Sequence, residues 1–199
     1  MDGILISLCE DSERLGLPSS AVVAVDALIG GAIGTLLDSR GIKGKPNEVG
    51  VVHSLGNLPA RLIAVCGLGR RPELTVDRVR DAVAEGCRAL RKLGCRTIAT
   101  TLMGAGAGGL SAQDSARAIA EGAVLGLYQF TRYKASEVVD VDRLDVVVRD
   151  TALIQSVRTA VEAGTVLADA TNLSRDMTNE PANYMTPTRM AEAAQDLGA

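Results

Sequence analysis

Three groups of residues in this sequence could do chemistry: a cluster of glycines, a run of aspartates, and four thiols with one histidine. Gly104-Ala105-Gly106-Ala107-Gly108-Gly109 matches Gly-x-Gly-x-x-Gly, a pattern that lets backbone N–H groups and a helix N-terminus surround a phosphate. A dinucleotide site also needs an acidic residue about twenty positions later, at the end of the next strand. Here that interval is still helical, and the next convincing strand begins near Leu144, so the dinucleotide reading fails on spacing. Two readings of the loop stay open: a looser phosphate or ADP-ribose site at Gly104–Gly109, and a tight strand-to-helix turn. His53 is the sole histidine; with no identifiable Ser or Cys partner it does not suggest a triad. Asp140, Asp142, Asp145 and Asp150 flank a short strand, where aspartate ordinarily serves turns, so the run reads as turn chemistry ahead of a metal site. Cys9, Cys66, Cys87 and Cys95 form no C-x-x-C pair and read as small buried hydrophobes in a reducing compartment. Glu121 reads as a solvated or ion-paired residue on a helix face. No position, taken alone, completes an active site: no catalytic, cofactor-binding or metal residue is assigned.

The elements that must position these residues follow from periodicity and caps. Thr97–Lys134 organises the chain, as a β-branched strand, the glycine loop, and a helix that Ser111 starts with Asp114 as the acidic partner of a capping box. Ala116, Ile119, Ala120, Ala123, Val124 and Leu127 recur at helical spacing along it. Ile4–Leu8 is a strand that starts so early that a missing N-terminal piece is expected. Ser19–Ser39 is predicted as one helix, with Val22, Val25, Leu28, Ile29, Ile33, Leu36 and Leu37 inward. Gly30 and Gly31 weaken it by about 1 kcal/mol each against alanine, which suggests close packing there. Glu48–Ser54 and Arg61–Cys66 are strands joined by a turn, the second leaving through Gly67-Leu68-Gly69. Thr75 caps a helix over Val76–Leu93, with Val76, Val79, Val83, Leu90 and Leu93 inward and Gly94 as its αL stop. Leu144–Val148 is a strand, Thr151–Asp176 a long helix, and Thr186-Pro187 opens a last helix at its N-cap and first turn.

At 199 residues, with a formal net charge of -3 and 2% aromatic content, the chain suits one α/β domain with an appended element and an aliphatic core. Scattered Lys and Arg disfavour a nucleic-acid-binding face. Neither a signal peptide nor a membrane-spanning apolar run is evident, so the expected location is cytoplasmic.

Two stretches together resemble the leucyl aminopeptidase family of cytosolic two-metal peptidases. Glu121-Gly122-x-x-Leu125-Gly126-x-Tyr128-x-Phe130-x-x-Tyr133-Lys134 looks like the helix of that family's N-terminal domain. Asn172-Leu173-x-Arg175-Asp176-Met177-x-Asn179-Glu180-Pro181-Ala182-Asn183-x-x-Thr186-Pro187 looks like the passage into its catalytic domain. The Gly67-Leu68-Gly69 strand exit fits the same pattern. The second motif is the specific one, and its prolines and asparagines also suit a plain interdomain linker.

The resemblance implies an α/β fold with a macro-like mixed sheet between helices over residues 1–165. A linker helix and the truncated start of a second α/β domain would follow over 166–199. It implies an enzyme that releases N-terminal amino acids from peptides with two divalent metal ions, Mn or Zn, and that assembles as a hexamer. The family's Asn-Thr-Asp-Ala-Glu-Gly-Arg run, which supplies metal ligands, is absent, and no lysine follows Lys134. The metal ligands are therefore expected beyond Ala199, and this segment is expected to be inactive. A free-standing macro-like module binding ADP-ribose is the alternative, and a regulatory or DNA-contacting role a third reading that the charge does not favour. Amides beyond roughly Asn179 are expected to exchange almost unprotected, since a helix as short as Pro187–Leu197 is marginal alone.

Overall fold

β1 (Gly3–Cys9) sorts its side chains by parity: Leu5 enters one core, Ile6 and Leu8 the other. Successive Cβ atoms on a strand point to opposite faces, so an apolar strand lying between two layers serves both. β3 (Leu62–Gly69) repeats the pattern, with Leu62, Ala64, Cys66 and Leu68 on the first face and Ile63 and Val65 on the second. Each Leu or Ile buried in this way contributes about 1.5–3 kcal/mol. With β2 (Val49–His53), β4 (Thr97–Thr101) and β5 (Arg143–Val147) these strands form one sheet in the order β2-β3-β1-β4-β5. β1 runs parallel to β3 and β4, β4 parallel to β5, and β2 antiparallel to β3. The mixed sheet between helices expected from the sequence is present. The computed structural model describes residues 1–11, 20–39, 41–133 and 139–198; the expected helix start at Ser19, the Lys134 end of the organising stretch, and Ala199 lie outside them.

α3 (Val76–Lys92) and α4 (Ala112–Leu127) cover the first face, and α5 (Ile154–Asn179) packs outside α4. Glycines let the three helices approach. A Cβ at Gly126 would stand 2.6 Å from Cα and Cβ of Ala84 on α3, and one at Gly164 on α5 would stand 2.7 Å from the Arg117 carbonyl of α4. α1 (Ser20–Leu28) and α2 (Ala32–Asp38) cover the second face, and α6 (Pro187–Leu197) ends the described chain with no buried residue.

The single helix expected over 19–39 is two. Gly30 and Gly31 take φ of 68° and 80°, and the axes of the two pieces differ by 112°. Asp26 re-starts the second: its carboxylate accepts from Ile33 N at 2.7 Å and Gly34 N at 3.2 Å. Added Cβ atoms at the two glycines would meet nothing, so backbone conformation and not close packing requires them. Leu28 and Leu93, both expected inward, are about half exposed at helix ends. The local signals match the structure. The Thr75 hydroxyl accepts from Arg78 N, the Thr186 hydroxyl from Arg189 N, and Gly94 sits at φ 79°.

Candidate functional site

The glycine loop between β4 and α4 is held by its own bonds. Gly104, Gly106, Gly108 and Gly109 all have positive φ, and a Cβ at Gly104 or Gly108 would also strike Leu74. Gly106 N donates to the Leu110 carbonyl at 3.0 Å and Ala107 N to the Gly104 carbonyl at 3.0 Å. At the head of α4 the Asp114 carboxylate accepts from Ser111 Oγ at 2.7 Å and Ser111 N at 3.2 Å, while Ser111 Oγ accepts from Asp114 N. The Ser111 hydroxyl and N–H hold that carboxyl below the usual range, so it is ionised at neutral pH. A phosphate arriving there would meet a fixed negative charge where a helix dipole otherwise favours an anion. The geometry supports the tight turn and gives the phosphate reading no support.

The other candidates are dispersed or already engaged. Asp142 forms a two-bonded pair with Arg96, which lowers its carboxyl, Asp145 pairs with Arg143, and Asp150 caps Ala152 N. Among the described residues no group of three His, Cys, Asp or Glu side chains is placed to hold a metal ion. His53 ends the edge strand β2, exposed, in a shallow groove with Ser54, Leu58 and Arg61, which contains no cysteine. Cys66, Cys87 and Cys95 are buried free thiols; burial pushes Cys87 up to about 12 and Cys66 further. Glu121 is ion-paired as expected, yet it is buried between Arg80 and Arg117.

The two motif stretches are brought together in space. α4 runs out into an arm, Tyr128–Tyr133, against which the end of α5 and the following turn are laid. Tyr128 Oη donates to Asp176 Oδ1 at 2.7 Å and accepts from Asn179 Nδ2 at 3.0 Å. The Arg175 guanidinium lies 5.4 Å from the Tyr128 ring centre and donates to the Leu125 carbonyl at 3.2 Å. Further along, Tyr133 Oη donates to Glu180 Oε2 at 2.6 Å, Arg132 pairs with Glu180 Oε1, and Arg132 stacks 4.7 Å from the centre of the Tyr184 ring. The Glu180 carboxylate holds the Tyr133 hydroxyl above, and the Arg132 guanidinium above, their ordinary pKa. Periodicity alone does not reveal this junction, because its partners lie 47 to 52 positions apart. The arrangement suits fixing one chain segment against another; it contains no nucleophile–base pair.

A family model described as the cytosol aminopeptidase family, N-terminal domain, matches residues 12–137. The chain belongs to that family. A probable cytosol aminopeptidase of Alkaliphilus metalliredigens is 34% identical over 99% of the chain, and one of Geobacter sulfurreducens 33% identical over 98%. The chain spans 39% of the length of each of these curated relatives. Among solved structures, the bottromycin maturation enzyme BotP in complex with Mn is 28% identical with a TM-score of 0.74, covering 98% of this chain and 36% of that one. A tomato leucine aminopeptidase variant shares the fold at a TM-score of 0.82 and 23% identity, covering 98% of this chain and 38% of that one. The glycine-packed helix α4 and the Tyr128–Tyr133 arm fall within the matched N-terminal domain, and the α5 end of the junction follows it in the chain. No single helix among the described residues is long and apolar enough to cross a membrane.

Proposed function

We propose that this chain is the N-terminal part of a metal-dependent leucyl aminopeptidase. Residues 1–165 form its N-terminal domain, and 166–199 form the linker and the opening of the catalytic domain. The observation that carries the reading is the docked junction: the specific motif Asn172–Pro187 is laid along the Tyr128–Tyr133 arm, at the end of a chain spanning 39% of its relatives. α5 crosses residue 165 as one continuous helix, so it serves as the rod between the two parts.

The described side chains do not fit a two-metal centre, because the one acidic run is spread among an arginine pair, a strand and a turn. In this proposal the metal ligands of the enzyme lie beyond Ala199. The manganese named with BotP supports a divalent ion there, Mn or Zn. Peptides are the proposed substrates, the cytoplasm the proposed location, and a hexamer the proposed assembly of the intact protein.

The test compares the 199-residue chain with a fusion of it to the remaining length of the Alkaliphilus metalliredigens relative. The chain alone should hydrolyse no leucyl-p-nitroanilide above buffer, with or without Mn²⁺, and the fusion should do so in a metal-dependent way. Metal-dependent turnover by the rigorously purified chain, or a folded fusion silent with both metals, overturns the proposal.

A further inference from the structure

Glu180 follows α5, and its backbone turns away from helical geometry to φ -70° and ψ 138°. Pro181 cannot continue the helix. Its carbonyl instead collects Tyr184 N at 2.8 Å and Met185 N at 2.9 Å, making a closed turn that feeds α6. Pro181–Tyr184 are exposed and Met185 and Thr186 partly buried, yet the Glu180 side chain is 3% exposed. A carboxylate taken out of water must be matched by charge and hydrogen bonds or it will not stay there. Here Arg132 supplies the charge, Tyr133 Oη the second donor, and Tyr184 lies across the guanidinium, also accepting from Arg132 Nη2 at 3.1 Å. α6 has no buried residue of its own, so its direction is inherited from this turn.

We propose that Arg132 and Tyr133, closing on Glu180, form a clasp that keeps the 179–186 turn shut within the 199-residue chain itself. The clasp fixes the direction of α6 and opens as a unit when either charge is removed. It needs no downstream domain, so it stands apart from the aminopeptidase reading. It also moves the expected limit of protected chain from about Asn179 to about Met185.

Native-state hydrogen exchange on the 199-residue chain tests this, using wild type, Glu180→Gln, Arg132→Met and, at the exposed Arg189–Glu192 pair, Glu192→Gln. In wild type the Tyr184 and Met185 amides should be protected. In Glu180→Gln and in Arg132→Met they should exchange roughly tenfold to a hundredfold faster, as loss of a charge-assisted bond predicts. The Ile63 and Ile98 amides, and every amide in the Glu192→Gln control, should stay as in wild type. If Glu180→Gln also loosens the Ile63 amide, Arg132→Met, whose side chain is half exposed, decides alone. Unprotected Tyr184 and Met185 amides in wild type overturn the proposal. So do wild-type rates in Arg132→Met.

Discussion

Replacing Gly126 with alanine sets two effects of known sign against each other. Gly126 is the penultimate residue of α4, so the roughly 1 kcal/mol by which alanine is favoured over glycine in a helix interior is an upper limit here. At this position the new Cβ would stand 2.6 Å from both Cα and Cβ of Ala84, where carbon atoms normally rest at about 3.5–4.0 Å. The obstacle is the α3 backbone, so α3 and α4 must separate by about 1 Å along the line that Ala123 and Ile119 also pack. Overpacking of that kind costs about 1–3 kcal/mol, and more when backbone must yield. The net expectation is a loss of about 1–2 kcal/mol. With a urea slope of about 2 kcal/mol per M, the midpoint should fall by roughly 0.5–1 M. Ala163→Gly, at an exposed position of α5, is the control: there propensity acts alone and the change should cost about 1 kcal/mol. A Gly126→Ala midpoint equal to or above wild type would refute the claim that α3 and α4 meet backbone to backbone.

Two further outcomes follow from the ionisable groups. Asp2 accepts from Arg96 N, Thr97 N and Thr97 Oγ1, which lowers its carboxyl from 3.8 to about 2. A depressed carboxylate stabilises the fold above its unfolded value and loses that contribution as pH falls through the folded one. The urea-midpoint gap between wild type and Asp2→Asn should therefore be constant above about pH 5 and close between about pH 4 and pH 2; a gap unchanged at pH 2 would count against those bonds. With burial pushing the Cys87 thiol up to about 12 and the Cys66 thiol higher, Ellman's reagent at pH 8 should label Cys9 in the native protein and all four thiols in urea. Rapid native labelling of Cys66 or Cys87 would contradict their burial.

What the sequence made legible is local. Thr75, Ser111 with Asp114, Gly94 and Thr186-Pro187 act within four residues of themselves, so their caps could be seen in advance. The apolar spacing from Val22 to Leu37 ran straight through Gly30 and Gly31. Periodicity reports which residues face the core but does not register a bend at which the chain turns and keeps facing it. Leu93 and Leu28 failed at helix ends, where the apolar stripe continues but burial does not. Glu121 and Glu180 are buried because of Arg80, 41 positions away, and Arg132, 48 positions away. Arg117, four residues before Glu121, makes its ion pair legible in the sequence, but nothing near either glutamate signals the distant arginine that buries it. The motif at Asn172–Pro187 marked the junction; which side chains close it became visible through the fold.

The position of β1 bears on how this protein is made. β1 precedes the other described strands in the chain, yet it lies between β3 and β4, with Asp2 bonded to Thr97 across 95 positions. At roughly 5–20 residues per second, about 5–20 s of translation separate the two ends of that pairing. During this interval the β4-facing edge of β1 has nothing to pair with. A ribosome that stalls between Gly69 and Thr97 would hold out a half-sheet with its central strand open along one side. Such a nascent chain is a template for pairing with any other extended segment, so the burden of keeping it soluble falls on holding factors until β4 emerges.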